Sequence, residues 1–269
     1  MTSARTRWLL CALLLVVADR CAKTSRDSFV LATTTSLESS GLLAVLEREF
    51  ERDSGIRIQP VVVGSGLALR MVANGRADAT ITHDPAAETS LIRQRKAEVY
   101  AQFMWNDFVI VGPAADGAQV RSASSAVDAF RRIAGANARF CSRNDESGTH
   151  ARELTLWRSA GVVPSGAGYL RMGQSMAQTL RSASALDAYT LTDRPTFDQL
   201  ARSLDLVILY RGDPALRNVY GLTVVRGHGR AHDNALRFSR WLLDGRGRDV
   251  VSKYVIGGVP AFHWMRASS

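Results

Sequence analysis

The chain has 269 residues, of which 46% are hydrophobic and 22% are charged, a composition typical of a globular protein with room for two modest cores. Its formal net charge of +9 comes from basic residues that are scattered along the chain, with no run of five. This pattern argues against a nucleic-acid-binding patch and indicates a solvated surface whose mild positive field favours capture of an anion.

Residues 1–23 have the layout of a secretory signal peptide. Arg5 and Arg7 precede an apolar run from Trp8 to Ala18. The run is too short for a membrane span, which needs about 20 residues. Because Val16 and Ala18 suit the small-residue positions of a cleavage site, we predict an exported, periplasmic protein.

Lipid attachment at Cys21 is the alternative to simple cleavage. It is the less favoured one, because Arg20 stands where a small residue is usual before a lipid-modified cysteine. With Cys11 inside the signal, the cysteine count excludes a disulfide framework. Cys141 is predicted to be a small buried apolar residue.

Strands and helices alternate after the signal, which predicts an α/β protein whose lobes are mostly parallel sheets flanked by helices. In the first part of the chain, the patterns predict strands at 28–33, 56–63 and 79–82 and helices at 42–50 and 67–73. Further on, they predict a strand at 139–141, helices through Trp157 and Leu180, a short helix after Pro195, and two C-terminal helices at 233–244 and 248–254.

Two apolar strands, at 108–111 and 206–210, are predicted to carry the chain into a second lobe and back again. Two such crossings imply a hinge and a ligand cleft between the lobes. The predicted division is therefore lobe 1 at 27–107, lobe 2 at 108–205, and lobe 1 again at 206–269.

Two strand-to-helix junctions of lobe 1 are rich in hydrogen-bond donors. Thr34, Thr35 and Ser36 follow the first strand, and Ser65, between two glycines, follows the second. Free N–H groups at a helix start, supplemented by hydroxyls, suit an oxyanion, and open α/β sheets bind ligands at the carboxyl ends of their strands. Ordinary helix capping is the alternative, although a cap needs only one such side chain.

The loop Arg143-Asn144-Asp145-Glu146-Ser147-Gly148-Thr149 runs from a strand into a helix in lobe 2. Its arginine supplies a permanent charge and a planar fork of donors, and its last three residues supply hydroxyls and helix-terminal N–H groups. This combination predicts a charge-assisted anion clamp. The alternative is an arginine that pairs with Asp145 only to brace a turn.

Arg143-x-Asp145-x-Ser147-Gly148-Thr149 resembles the signature loop of periplasmic phosphate- and tungstate-binding proteins. Other segments closely resemble the tungstate-binding subunits of ABC importers, and they lie at 31–36, 63–68, 106–113, 189–194 and 212–216. The resemblance spans residues 29–241. It departs from the family at Asn144, where glycine is usual, which puts the shape of the turn in question.

The resemblance implies a two-lobed type II periplasmic-binding-protein fold that closes around one tungstate or molybdate ion and delivers it to an ABC permease driven by a cytoplasmic ATPase. It implies a monomer with no cofactor, no catalytic residue and no metal site beyond the oxyanion itself. The implied ligand-binding residues are Thr34, Thr35, Ser36, Ser65, Arg143, Ser147, Gly148 and Thr149.

The charge of the anion bears on its identity. Phosphate near neutral pH carries a proton and benefits from an acceptor such as Asp145, whereas fully ionised tungstate needs donors only. In the tungstate interpretation Asp145 must be neutralised, and we expect it to pair with Arg143. Molybdate has the same charge as tungstate and nearly the same radius, so residue types do not separate the two.

Two other classes of function compete with transport. An enzyme could be built from Ser147, His150 and the pair His83-Asp84, but the chain has no G-x-S-x-G elbow and Ser147 lies among anion donors, so we predict no enzymatic activity. A sensory protein that presents the same loaded fold to a receptor remains open.

Overall fold

The computed structural model describes residues 27–265, which form an α/β protein. The strands are β1 Ser28–Thr34, β2 Arg57–Val63, β3 Ala79–Thr82, β4 Ala97–Gly112, β5 Phe140–Ser142, β6 Tyr169–Arg171, β7 Thr190–Asp193, β8 Val207–Tyr210, β9 Arg217–Val225, β10 Val255–Ile256, β11 Val259–Pro260 and β12 His263–Trp264. The α-helices are α1 Thr35–Ser39, α2 Leu42–Ser54, α3 Ser65–Ala73, α4 Pro85–Arg93, α5 Ala126–Gly135, α6 Gly148–Ser159, α7 Met176–Ala185, α8 Arg194–Leu200, α9 Arg230–Leu243 and α10 Arg246–Ser252.

Within residues 27–265, no helix is both long enough and apolar enough to cross a bilayer. The predicted signal peptide and Cys21 lie outside the described residues. The α/β class is confirmed, with a mixed sheet flanked by helices. Strands β2, β1 and β3 are parallel neighbours, and β9 and then β4 extend the sheet in antiparallel order.

One hydrophobic core holds the first lobe together. Phe29 of β1, Phe50 of α2 and Phe238 of α9 are fully buried and meet with ring centroids 5.2–6.2 Å apart. Val251 of α10 belongs to the same core. Both C-terminal helices therefore pack on the first lobe, because their apolar faces have no other surface to cover.

A second core lies within residues 108–216, which we call the second lobe. Its aromatic centre consists of Phe130 of α5, Phe140 of β5 and Trp157 of α6. The ring centroids of Phe130 and Trp157 lie 4.5 Å apart. Cys141 of β5 is buried in a separate hydrophobic cluster of this lobe, as predicted, and forms no disulfide. Its neighbours there belong to β4 and α7.

The long strand β4 connects the two lobes. It pairs with β9 up to Asp107 and with β7 from Phe108 onward. Strand β8, the predicted return to the first lobe, pairs with β4, and its Leu209 packs in the second core together with Leu216. Strand β9, which begins at Arg217, pairs with β4 and with β3. An apolar strand alone does not reveal which core it joins.

Two segments predicted as loops are helical. Thr35 and Ser36 form the first turn of α1, and α3 begins at Ser65 rather than at residue 67. The donor residues thus lie in first helical turns, where backbone N–H groups lack intrahelical partners.

Candidate functional site

Three strand-to-helix junctions meet where the lobes touch. The β1–α1 and β2–α3 junctions belong to the first lobe, and the β5–α6 junction belongs to the second. Arg143 Nη2 donates to Thr35 Oγ1 across this boundary at 3.1 Å. The backbone of Gly64 also packs closely against the second lobe, since a Cβ placed there would lie 3.4 Å from the carbonyl oxygen of Asp145. Donors from both lobes therefore surround one small region.

Arg143 is the central charge of this region, with only 1% of its surface exposed. Its Nη2 pairs with Asp145 Oδ2, and its Nε donates to the carbonyl oxygen of Gln174 at 3.4 Å. The predicted pairing of Asp145 with Arg143 is thus confirmed. The Nη1 atom has no protein partner, so the pairing orients the guanidinium and leaves part of its fork available.

Several buried hydroxyls of the described residues also lack a partner, and three of them lie at the starts of helices. They belong to Ser36 in α1, Ser65 in α3 and Thr149 in α6, and each lies in the first turn of its helix. Buried polar atoms are almost always hydrogen-bonded within a protein or to a ligand. Together with Arg143 Nη1, these hydroxyls are buried donors drawn from both lobes.

The remaining predicted hydroxyls act as helix caps. Thr34 Oγ1 accepts from the N–H of Leu37, and Ser147 Oγ accepts from the N–H of His150, both at 3.2 Å. Each hydroxyl hydrogen stays available for donation, because capping uses only an oxygen lone pair.

Gly148 opens α6 at a point with no space for a side chain. A Cβ there would lie 2.5 Å from His83 Nδ1 in the other lobe. In the turn that precedes Ser147, Asn144 adopts a left-handed backbone conformation, with a φ of 46°. Glycine, usual in the family at Asn144, favours this conformation, and asparagine tolerates it, so the departure leaves the turn intact.

Asp193 at the end of β7 is a site-adjacent residue that the sequence patterns did not single out. Its side chain is fully buried. Its Oδ1 accepts from the N–H and the hydroxyl of Thr196, at 3.0 and 2.8 Å, while Oδ2 has no partner. Burial raises the pKa of this carboxyl, and the nearby charge of Arg143 opposes the shift.

His83 and Tyr220 form a buried wall beside Gly148. Their rings lie 4.9 Å apart between centroids. Burial lowers the pKa of His83 to about 3, and the positive charge of Arg143 adds to the effect. The imidazole is therefore neutral at neutral pH. The sequence analysis, which considered His83 only as part of an enzyme site, did not predict this contact between lobes.

Glu153, inside α6, supports the anion loop from behind. Its Oε1 accepts from the hydroxyl of Tyr169 at 2.7 Å and from Trp157 Nε1 at 3.2 Å. Burial raises its pKa to about 7, and the backbone N–H of Arg143 is among the donors that partly offset this rise. Glu153 thus ties the start of the loop to the second core.

The residues considered for an enzyme do not form a nucleophile system. The ring Nδ1 of His150 accepts from the N–H of Glu146 at 3.3 Å, and Ser147 contacts the backbone of His150 rather than its ring. Ser147 and His150 are therefore not arranged as a nucleophile and its base. The arrangement as a whole is a set of donors with one paired cation, suited to an oxyanion with several acceptor oxygens.

Comparison with known proteins identifies relatives of this chain. A family model described as a PBP superfamily domain matches residues 20–246. The chain is 36% identical over 235 residues to the tungstate-binding protein TupA of Peptoclostridium acidaminophilum, covering 86% of this chain and 82% of that protein. It is 37% identical over 246 residues to a putative ABC transporter anion-binding protein of Haloferax volcanii, covering 88% and 72% of the two chains.

Solved structures show the same likeness. The structure described as the tungstate ABC transporter from Geobacter sulfurreducens superposes with a TM-score of 0.77 at 36% identity, covering 85% of this chain and 99% of that one. The tungstate-binding protein TupA of Desulfovibrio alaskensis G20 gives a TM-score of 0.74 at 34% identity, with 89% and 99% covered.

Proposed function

This chain belongs to the PBP superfamily, in the group of the tungstate-binding proteins, and we propose that it captures tungstate outside the cytoplasm and delivers it to an ABC permease. The cytoplasmic ATPase of such an importer drives transport, and the binding protein itself performs no chemistry. The names of its relatives and the donor set of its cleft both support this function.

One observation carries the proposal. Ser36 Oγ, Ser65 Oγ, Thr149 Oγ1 and Arg143 Nη1 are buried donors without protein partners, and they come from both lobes. Each such atom costs about 1–3 kcal/mol when it is buried unsatisfied. A tetrahedral oxyanion offers four acceptor oxygens and satisfies several of these donors at once. Binding of the anion therefore stabilises the contact between the lobes.

We propose as ligand-binding groups the residues predicted from the sequence, namely Thr34, Thr35, Ser36, Ser65, Arg143, Ser147, Gly148 and Thr149. The proposed lobes are 27–107 with 217–265, and 108–216, joined by β4 and β9. The proposed hinge is β4, which runs from the first lobe into the second, together with the start of β9, which pairs with it at Asp107.

The state of Asp145 favours a fully ionised anion. Its pairing with Arg143 leaves it a poor acceptor for the proton that phosphate carries near neutral pH. The relatives named for tungstate point the same way. Molybdate, with equal charge and nearly equal radius, remains the alternative ligand of the same site.

Calorimetric titration of the purified exported form with tungstate, molybdate, phosphate and sulfate tests the proposal. We expect one anion per chain, with tungstate or molybdate bound at least tenfold more tightly than phosphate or sulfate. Preference for phosphate would remove tungstate as the ligand, and failure to bind any of the four would remove the oxyanion function. Delivery is tested separately, by stimulation of the ATPase of the reconstituted importer only when the binding protein is loaded.

A further inference from the structure

We propose that Asp193 is a specificity-determining residue of the oxyanion site, and that its carboxyl becomes a neutral, hydrogen-bond-donating acid when the lobes close. This inference rests on the proposed function, because it concerns the charge that the bound anion meets. It goes further by naming which protonation state of the anion the site selects.

The position of Asp193 places it at the same sheet edge as the anion loop. Strands β5 and β7 are parallel neighbours through the bridge between Phe140 and Tyr189, and Cys141 N–H donates to the carbonyl oxygen of Tyr189 at 2.8 Å. Because β5 and β7 are parallel and in register at this bridge, their carboxyl ends lie at the same edge of the sheet. Arg143 begins the anion loop there, and Asp193 ends β7 beside it.

Only one oxygen of the Asp193 carboxyl accepts hydrogen bonds within the protein. Oδ1 accepts both hydrogen bonds from Thr196 and so caps α8. Oδ2 is buried without a partner, as are the four donors of the anion site. Capping needs one oxygen, so the second is free to face a ligand.

The helix that Asp193 caps contacts the first lobe. Helix α8, which Asp193 caps, contacts the first lobe through Arg194 Nη2, which donates to the carbonyl oxygen of Pro260 at 2.6 Å, and through Gln199 Nε2, which donates to that of Ser40 at 3.2 Å. In an open, hydrated cleft, an aspartate beside an arginine is ionised at neutral pH. In the closed structure Asp193 has no exposed surface.

The charges that face Asp193 then favour the neutral form. They are Arg143 from the loop after β5 and the uncharged Tyr220 from β9, and Asp145 already pairs with that arginine. Tungstate adds two negative charges to a region with one cation. An ionised, buried Asp193 would add a further negative charge with no free counter-ion, whereas the neutral acid adds a donor. The site therefore selects an anion that has no proton of its own to donate.

The opposite assignment makes a different prediction. If Asp193 stays ionised, Oδ2 is an acceptor for a proton-bearing anion such as hydrogen phosphate, and tungstate binding takes up no proton. The two assignments differ in the pH dependence of tungstate binding between pH 7 and 9, where tungstate itself carries no proton.

The test compares wild type with Asp193→Asn, whose carboxamide keeps the capping oxygen and places an N–H donor at the Oδ2 position. Asp128→Asn, which removes a partly exposed carboxylate that pairs with Arg132 elsewhere in the second lobe, is the matched control. Tungstate affinity is titrated from pH 7 to 9. Calorimetry in two buffers of different ionisation enthalpy counts the protons taken up.

We expect wild type and Asp128→Asn to take up close to one proton per tungstate, and to lose affinity by up to tenfold per pH unit relative to Asp193→Asn. We expect no proton uptake attributable to this position in Asp193→Asn. Equal pH slopes and equal proton counts in all three proteins would overturn the inference while leaving tungstate binding intact. If Asp193→Asn does not fold, Asp193→Ser keeps a capping hydroxyl without a titrating group and replaces it in the same test.

Discussion

Removal of Arg143 is the sharpest test of the site, because this side chain is its one buried cation. A charge-assisted hydrogen bond contributes about 1.5–3 kcal/mol, so loss of the Nη1 donor predicts about 10-fold to 150-fold weaker tungstate binding in Arg143→Ala. The substitution also leaves Asp145 without its partner beside a dianion. Because the Asp145 side chain is 19% exposed, solvent moderates this second effect.

A double-mutant cycle separates the two effects. Asp145→Asn introduced into Arg143→Ala removes the repelling carboxylate, and we expect it to recover at least fivefold in affinity, about 1 kcal/mol. Arg143→Lys keeps the charge and loses the planar fork, so we expect an intermediate loss. Arg152→Ala is the control, since Arg152 lies on the same helix and contacts the carbonyl of Arg217 instead.

The assay is calorimetric titration with tungstate at pH 7.5, with melting curves to show that each variant is folded. An affinity of Arg143→Ala within twofold of wild type would refute the role of Arg143 in the site. An equal loss in Arg152→Ala would show that the effect comes from net charge rather than from a direct contact.

Three other outcomes are expected. The pKa of about 3 for buried His83 lies below the ordinary value of 6.5, so the unfolded chain binds more protons below pH 6.5. From pH 7 to pH 5, wild type should therefore lose about 2 kcal/mol of unfolding free energy that His83→Gln does not lose, as measured by urea denaturation. Glu153 has the opposite sign: its pKa of about 7 is raised from 4.5, so stability falls as pH rises through this interval. Between pH 5 and 8, the unfolding free energy of Glu153→Gln should therefore rise by about 2–3 kcal/mol relative to that of wild type. If the unfolding free energies of the two proteins change with pH in parallel, the assignment to Glu153 is contradicted. Gly148→Ala should weaken tungstate binding at least tenfold with little change in Tm, because its Cβ would strike His83 across the lobes, whereas Gly135→Ala, with open space around it, should bind normally.

The sequence by itself determined the chemistry of each junction. Thr34–Thr35–Ser36 and the run from Arg143 to Thr149 are local segments, and the fate of their hydroxyls and N–H groups follows from their place between a strand and a helix. The pairing of Asp145 with Arg143 was predictable for the same reason, because the two residues are separated by one position. The α/β class followed from the alternation of patterns along the chain.

Only the tertiary structure decided which residues distant in sequence lie beside these junctions and which core each strand joins. No local signal predicts the burial of Asp193 and His83 beside the site, because that burial depends on strand neighbours and lobe contacts distant in sequence. The apolar strand β8 looks the same whichever core it joins, and pairing with β4 assigns it to the second lobe. Hydrogen bonding and capping act over a few residues, whereas burial and strand pairing are settled by long-range packing.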